Sequence, residues 1–191
     1  MSEKNLWRGE LVRLAAIEPE RDAAVMAKWT HDSEYTRLRD SNPARPRMAA
    51  SVRERLVDDG KRPIGALHLG IRTLADDQLI GTILLDYIRW NHAYGWLGVG
   101  IGERALWGQG YGTDAVRIIL RYAFTELNLW RVALSVLATN ARAMRTYAKA
   151  GFVIEGRVRG LAHIDGERYD EVFMGVLRRE WESGQVNREA R

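Results

Sequence analysis

Two short segments of the sequence combine residue types that could bind an anion and move a proton. The first is the run of alternating glycines Gly108, Gly110 and Gly112, which comes directly before a segment with helical apolar periodicity. Because glycine tolerates positive φ and a close backbone approach, several N–H groups of such a turn can point at one spot, and the dipole of the following helix adds to them. This pattern predicts a site for a pyrophosphate-like anion.

Spacing alone does not fix the role of the glycine turn. The nucleotide P-loop requires Gly-x-x-x-x-Gly-Lys-Ser/Thr, which is absent, and the dinucleotide fingerprint requires Gly-x-Gly-x-x-Gly after a parallel strand. Here the spacing is Gly-x-Gly-x-Gly, and the strands before it have the pattern of an antiparallel meander. A tight strand-to-helix connection without a ligand therefore remains the alternative.

The second segment follows one strand later and is a predicted helix. Four of its residues recur at the spacing i, i+3, i+4 and i+7: Asn140, Ala143, Met144 and Tyr147. They share one helical face, and Arg142, Arg145 and Lys149 are expected to point in other directions. Asn140 would be the N-cap and Gly151 the C-terminal stop. An N-cap asparagine and a core tyrosine are common, so their placement after the glycine turn is what favours a site.

Hydrophobic periodicity and turn residues predict the elements that position these segments. Strands are expected at 11–14, 66–74, 79–88, 94–101, 130–137, 152–164 and 169–177, and helices at about 18–29, 47–59, 113–127 and 140–150. Asp165 and Gly166 form a hairpin turn. The order β-α-α-β-β-β-α-β-α-β-β indicates an α/β (α+β) fold with a mixed, mostly antiparallel sheet flanked by helices. The polar tail after Trp181 is expected to fray.

Length and composition limit the function classes. A chain of 191 residues with 46% apolar residues predicts one domain over 1–191, with a core at about 7–181. The absence of cysteine excludes disulfides and thiol nucleophiles and fits the cytoplasm. No secretory signal or membrane span is predicted. The net charge of +4 fits an anionic partner, but without a dense basic run nucleic acid is not favoured. The four histidines lack metal-ligand spacing, so no metal is expected.

These two segments resemble the acetyl-CoA motifs of the GNAT acetyltransferases. The stretch 107–113 looks like their pyrophosphate loop, with Trp107 at a position that the family fills with Gln or Arg. The second motif is matched by Val136, Asn140, Ala143, Tyr147, Lys149, Gly151 and Phe152. The string from Trp107 to Arg117, and Asp165-Gly166 with the residues after it, are most similar to the branch that acetylates the N-termini of ribosomal proteins. The resemblance runs from Trp7 to Trp181.

The resemblance implies a GNAT-like fold and direct transfer of an acetyl group from acetyl-CoA to a primary amine, on a protein N-terminus or a small molecule. It implies cofactor contacts from eleven residues: Val99, Gly100, Ile101, Gly108, Gln109, Gly110, Tyr111, Gly112, Thr113, Asn140 and Tyr147. Tyr147 would protonate the departing thiolate, and backbone N–H groups around Val99 and Gly100 would stabilise the oxyanion. A homodimer is common among similar proteins.

The general base is predicted to be Glu103, and Asp86, His92, Glu171 or a water chain are its rivals. The acceptor pocket is expected between the helix before Gly60, the turn 89–92 and the hairpin 163–169. Two other functions remain open. One is an acyl-CoA-binding sensor of the same fold without turnover, and the other is a nucleic-acid-binding protein that uses the positive charge.

Overall fold

A single seven-stranded sheet carries the molecule. The structure is a computed structural model that describes residues 5–39, 42–60 and 66–189, with backbone only for 186–189. Its strands are β1 (Val12–Ala16), β2 (Leu67–Thr73), β3 (Leu79–Arg89), β4 (Tyr94–Ile101), β5 (Arg131–Leu137), β6 (Val153–Ile164) and β7 (Glu167–Leu177). Its helices are α1 (Pro19–Trp29), α2 (Ser33–Arg39), α3 (Ala49–Asp59), α4 (Tyr111–Thr125), α5 (Ala141–Ala150) and α6 (Arg178–Glu189). The ends of the predicted domain, residues 1–4 and 190–191, lie outside the described residues.

The strand order is β1-β2-β3-β4-β5-β7-β6, and each neighbouring pair is antiparallel except β4 and β5. The parallel pair holds together only at the start of the two strands, from Tyr94 opposite Arg131 to Trp96 opposite Ala133. Beyond Trp96 the two strands separate. The predicted mixed, mostly antiparallel sheet is confirmed, and the seven strands lie within two residues of their predicted bounds.

Helices cover the two faces of the sheet and make two cores. The larger core lies under α4, which packs on β1, β3 and β4 and buries the stripe Val116, Ile119, Leu120 and Ala123. The smaller core lies under α1, α2 and α3 on the other side of the sheet. Its buried members are Ala23, Met26, Ala27, Trp29, Tyr35, Val52, Leu56 and Leu79. The two faces therefore present different sets of helices to the opening between β4 and β5.

Helix α2 is absent from the elements that the sequence predicts, which leave only a connection between the helices expected at about 18–29 and 47–59. The Asp32 carboxylate caps this helix by accepting hydrogen bonds from the N–H groups of Glu34 and Tyr35 at 3.0 and 3.2 Å. A seven-residue helix shows less than two full turns of apolar periodicity, so the Asp32 cap is its main sequence signal.

The tail after Trp181 also differs from the expectation, because α6 continues directly from β7 as far as Glu189. The Glu180 carboxylate accepts a hydrogen bond from the Leu177 N–H at 2.9 Å, and the Trp181 ring lies 5.4 Å from the Phe124 ring. The packing of Trp181 on Phe124 thus holds the start of this otherwise polar helix against the core. Helix α4 begins at Tyr111 rather than Thr113, so its first turn includes part of the glycine segment.

Candidate active site

A cleft opens where β4 and β5 separate. It encloses about 210 Å³ and is lined by β4 residues 99–101, the loop 106–113 without Gln109, and one face of α5. The separation leaves the ends of both strands without each other as hydrogen-bonding partners. A cleft of this shape can accept an extended ligand that runs between the strands.

The glycine turn forms one wall of this cleft. Gly108 and Gly110 have φ values of +80° and +96°, in the left-handed region that glycine adopts without strain. Tyr111, Gly112 and Thr113 are the first three residues of α4, and their N–H groups have no intrahelical acceptor. A side chain at Gly108 would meet nothing within 4 Å, so the loop backbone borders open space. These features fit a phosphate group, and the alternation of glycines explains why they can form.

Helix α5 supplies the opposite wall. Asn140 caps it as predicted, because its Oδ1 accepts a hydrogen bond from the Ala143 N–H at 3.1 Å. Gly151 ends the helix with φ +105°. Tyr147, two turns after Asn140 on the same face of the helix, also lines the cleft, and the residue is 5% exposed. Burial raises the pKa of the Tyr147 phenol above its ordinary value, so the phenol stays protonated at neutral pH and can donate a hydrogen bond.

Helix α2 also lines the cleft. Tyr35, Leu38 and Arg39 lie at i, i+3 and i+4 and face the cleft. A Cβ on Gly100 would come within 3.1 Å of the Arg39 Cδ and 3.3 Å of the Tyr35 ring, so this glycine permits a close approach of α2 to β4. Arg39 Nη2 donates a hydrogen bond to the Thr82 hydroxyl at 3.3 Å. The sequence does not predict helix α2, and it therefore does not predict these residues as part of the site.

A second cavity of about 460 Å³ adjoins the first, and Arg39 lines both. Its walls come from the end of α3 at Asp59, from β2 at His68 and from β3 at Asp86. The His68 and Asp59 side chains lie 3.9 Å apart. The expected acceptor wall before Gly60 therefore borders this cavity. Of the hairpin, Asp165 reaches α2 by accepting two hydrogen bonds from Arg37, at 2.6 and 2.5 Å.

The structure brings together most of the predicted site residues and separates a few. Ten residues of the predicted set line the cleft: Val99, Gly100, Ile101, Gly108, Gly110, Tyr111, Gly112, Thr113, Asn140 and Tyr147. Gln109 instead donates from Nε2 to the Ala105 carbonyl at 2.6 Å. Glu103 lies outside the lining and accepts a hydrogen bond from the Trp29 indole N–H at 2.9 Å. Of the rival bases, Asp86 borders the second cavity, whereas His92 and Glu171 border neither cavity.

One expectation about α5 is wrong. Arg142, Arg145 and Lys149 do not turn away, because all three line the cleft with Arg39. Long side chains reach around a helix beyond the face of their Cα atoms, and helical spacing alone does not capture this. No carboxylate is among the lining residues that the structure describes. The cleft is therefore strongly cationic.

The sequence matches the Acetyltransferase (GNAT) domain family over residues 12–153. The chain belongs to the GNAT acetyltransferases. It is 32% identical over 139 residues to YdaF of Bacillus subtilis (strain 168), a proposed ribosomal N-acetyltransferase, with 72% of this chain and 75% of that protein covered. It is 39% identical over 111 residues to YjcK of the same organism, named a probable N-acetyltransferase, but the match covers only 58% of this chain and 61% of that protein.

Solved structures share the fold over nearly the whole chain. A crystal structure named a probable acetyltransferase superposes with a TM-score of 0.79 at 28% identity, covering 90% of this chain and 96% of that one. The Vibrio cholerae spermidine N-acetyltransferase in complex with CoA and spermine gives the same TM-score at 23% identity, covering 90% and 98%. This GNAT protein is an acetyl-CoA-dependent N-acetyltransferase, in agreement with the reaction that the sequence predicts.

The described part of the chain contains neither a metal-ligand cluster nor a membrane-spanning helix. No group of three or more His, Asp or Glu side chains is placed to hold a metal ion within residues 5–39, 42–60 and 66–189. Over the same ranges, no helix has the length and apolar character needed to cross a membrane.

Proposed function

We propose that this acetyltransferase binds acetyl-CoA along the cleft between β4 and β5 and transfers the acetyl group directly to an amine that enters from the second cavity. The observation that carries the proposal is the cleft itself. It joins the glycine turn to the buried Tyr147 phenol, and it meets the second cavity at Arg39. Acetyl-CoA supplies the acetyl group as a thioester, and the residues of this chain orient it and manage the protons.

On the donor side, the backbone does most of the binding. The N–H groups of Tyr111, Gly112 and Thr113 are directed to the diphosphate, and the positive end of the α4 dipole favours negative charge there. Backbone N–H groups at Val99 and Gly100 are proposed to face the thioester carbonyl and to stabilise negative charge on its oxygen. Tyr147 holds its proton for the sulfur as the carbon–sulfur bond breaks.

On the acceptor side, the amine must lose a proton before it attacks. A protein α-amine has a pKa of about 8 and a lysine about 10.4, so most of either amine is protonated at neutral pH. We propose Asp86, rather than the Glu103 that the sequence favours, as the carboxylate that receives this proton through water. Asp86 lies on a wall of the cavity beside the cleft, whereas the carboxylate of Glu103 is bound to Trp29.

The acceptor is proposed to be a primary amine on a protein N-terminus or a small molecule. Relatives named for ribosomal proteins and for spermidine support both classes. We further propose one catalytic domain over residues 1–191, a cytoplasmic location and a homodimer. The continuous seven-stranded sheet supports the first of these, and the absence of cysteine fits the second.

Replacement of Tyr147 by Phe tests the assignment of the acid. Removing the hydroxyl should lower kcat by about 100-fold, the lower end of the range for a positioned proton donor. The Kd for acetyl-CoA, measured by isothermal titration, should change little because the ring still fills its place beside Phe152. Thiol release with N-terminal peptides and polyamines gives kcat. An unchanged kcat would remove Tyr147 from the acid role.

The sensor alternative predicts a different result. A non-catalytic acyl-CoA-binding protein would bind acetyl-CoA but release no thiol with any amine. Such an outcome, with a folded protein and a measurable Kd, would overturn the proposed acceptor side while leaving the cleft assignment intact.

A further inference from the structure

Two guanidinium groups lie over the ring of Trp107, which lines the cleft. The Arg104 Cζ is 4.8 Å from the centre of its ring and the Arg142 Cζ is 3.9 Å. The indole Nε1 donates a hydrogen bond to the Ile101 carbonyl at 2.7 Å, which fixes the ring against the last residue of β4. A cation held over a fixed aromatic ring loses much of its freedom before any ligand arrives.

The two arginines differ in their other partners. Arg104 forms ion pairs with Asp32 and Glu34, with closest distances of 2.8 and 2.7 Å. Arg142 makes no ion pair and no hydrogen bond with any residue that the structure describes, and neither do the side chains of Arg145 and Lys149. All three line the same cleft. Three cations thus line one opening without an internal counter-charge among the described residues, so an anionic group that enters it meets a positive potential.

The charge of CoA exceeds what the glycine turn can neutralise. The turn and the α4 N-terminus offer backbone N–H groups suited to the diphosphate. CoA also carries a 3′-phosphate on its ribose, a phosphomonoester with up to two negative charges. Planar guanidinium groups bind such a group through two parallel hydrogen bonds, and an ammonium adds a point charge.

We propose that Arg142, with Arg145 and Lys149, binds the 3′-phosphate of CoA, and that Trp107 positions Arg142 for this contact. This assignment rests on the proposed placement of acetyl-CoA in the cleft. It makes the cationic cluster a specificity device, which selects CoA thioesters over pantetheine thioesters and over donors that lack the 3′-phosphate.

Isothermal titration with CoA and with 3′-dephospho-CoA tests the proposal without any need for turnover. The native protein should bind CoA more tightly by about tenfold to a hundredfold, the range that one hydrogen bond to a charged group contributes. Arg142→Gln should reduce this ratio towards one and leave the affinity for 3′-dephospho-CoA unchanged. Arg179→Gln, which removes the same charge from the exposed surface of α6, is the matched control and should keep the native ratio.

The role of Trp107 needs its own pair of variants. Trp107→Phe keeps an aromatic ring for Arg142, although a smaller one without the indole N–H, so it should retain more of the discrimination than a variant without a ring. Trp107→Leu removes the ring and should lower the ratio in the direction of Arg142→Gln. Circular dichroism checks that each variant is folded.

Three results would overturn the proposal. One is a ratio near one in the native protein. Another is a ratio that survives Arg142→Gln, and the third is an equal loss of affinity for both ligands, which would place Arg142 at the diphosphate. If the native protein binds neither ligand, the proposed function itself fails, and this outcome differs from all three.

Discussion

The two ends of the active site are built in different ways. Most of the lining at the proposed cofactor end comes from two segments, 99–113 and 140–149, and glycines with positive φ shape the backbone of the first. The acceptor end brings together α2, α3, β2 and β3, and its walls are side chains such as Arg39, His68 and Asp86. The first end needs one backbone shape for one cosubstrate, whereas the second can change its side chains without changing the sheet. Under the proposed function, binding of the diphosphate therefore depends mainly on backbone conformation, whereas recognition of the acceptor depends on side chains that can vary.

The largest predicted effect concerns the scaffold behind the acceptor end. Asp22 of α1 and Arg72 of β2 form a buried ion pair with a closest distance of 2.6 Å, and their side chains are 2% and 4% exposed. Asp22→Ala should lower the free energy of unfolding by about 3–5 kcal/mol, because it leaves a buried guanidinium without its partner. The Kd for acetyl-CoA of the folded fraction should stay unchanged. Denaturant unfolding and isothermal titration measure the two quantities.

The same pair predicts a pH dependence. Burial alone would raise the pKa of Asp22, but hydrogen bonds from Arg72 and from the Glu18 N–H outweigh it and hold the pKa below its ordinary value. The pair therefore stabilises the fold fully above the unfolded pKa of about 3.9, and this contribution is lost as pH falls through the lower folded value. In the Asp22→Ala variant, the free energy of unfolding should therefore depend less on pH in that acid range. Asp77→Asn, which removes the charge from an exposed pair with Arg13 and keeps a residue type that tolerates the positive φ of 58° at this position, should destabilise far less.

A substitution in the glycine turn should have the next largest effect and should be confined to the cofactor end. Gly110→Val places a β-branched side chain at φ +96°, beside Leu11, and distorts the start of α4. We expect acetyl-CoA affinity to fall by at least about 100-fold, or about 2.7 kcal/mol. Gly156→Val is the matched control, since this glycine has no positive φ and faces open space. Native affinity in a folded Gly110→Val variant would contradict the loop assignment.

The smallest predicted effect tests which carboxylate acts as the base at the acceptor end. Asp86→Asn should lower kcat/KM by about tenfold at neutral pH, at the weak end for a base that acts through water. The defect should shrink as pH rises towards the pKa of the amine, because the amine then loses its proton without help. Glu103→Gln should show no such pH-dependent defect. If instead Glu103→Gln shows it and Asp86→Asn does not, Glu103 is the base, as the sequence predicts.

The cofactor end can be predicted from sequence because its requirements are local. Glycine alternation, the Asn140 cap and the helical spacing to Tyr147 are all visible within about fifty residues, and ten of the eleven residues that the family resemblance implies as contacts line the cleft. The cations of α5 are the exception, since the expected face follows from their Cα positions and not from the reach of their side chains.

The acceptor end cannot be predicted to the same extent because its contacts join distant segments. Arg39 meets Thr82 across 43 positions, and Arg37 meets Asp165 across 128. Neither pair has a local sequence pattern, and α2 is too short to show one. Glu103 directly follows the cofactor strand in sequence, yet the indole of Trp29, 74 positions earlier, holds its carboxylate. Such pairings become visible only when the fold is known.

The early separation of β4 and β5 leaves two internal strand edges within one sheet. Edges normally lie at the outside of a sheet, where proteins protect their unpaired N–H and C=O groups. Here the edges face each other across the cleft, beyond the last pair at Trp96 and Ala133. A bound chain with amide groups can complete the hydrogen bonding that the sheet lacks, and so can water. We therefore expect bound acetyl-CoA to raise the melting temperature and to slow amide exchange along both strands, so that the cosubstrate acts as part of the folded structure.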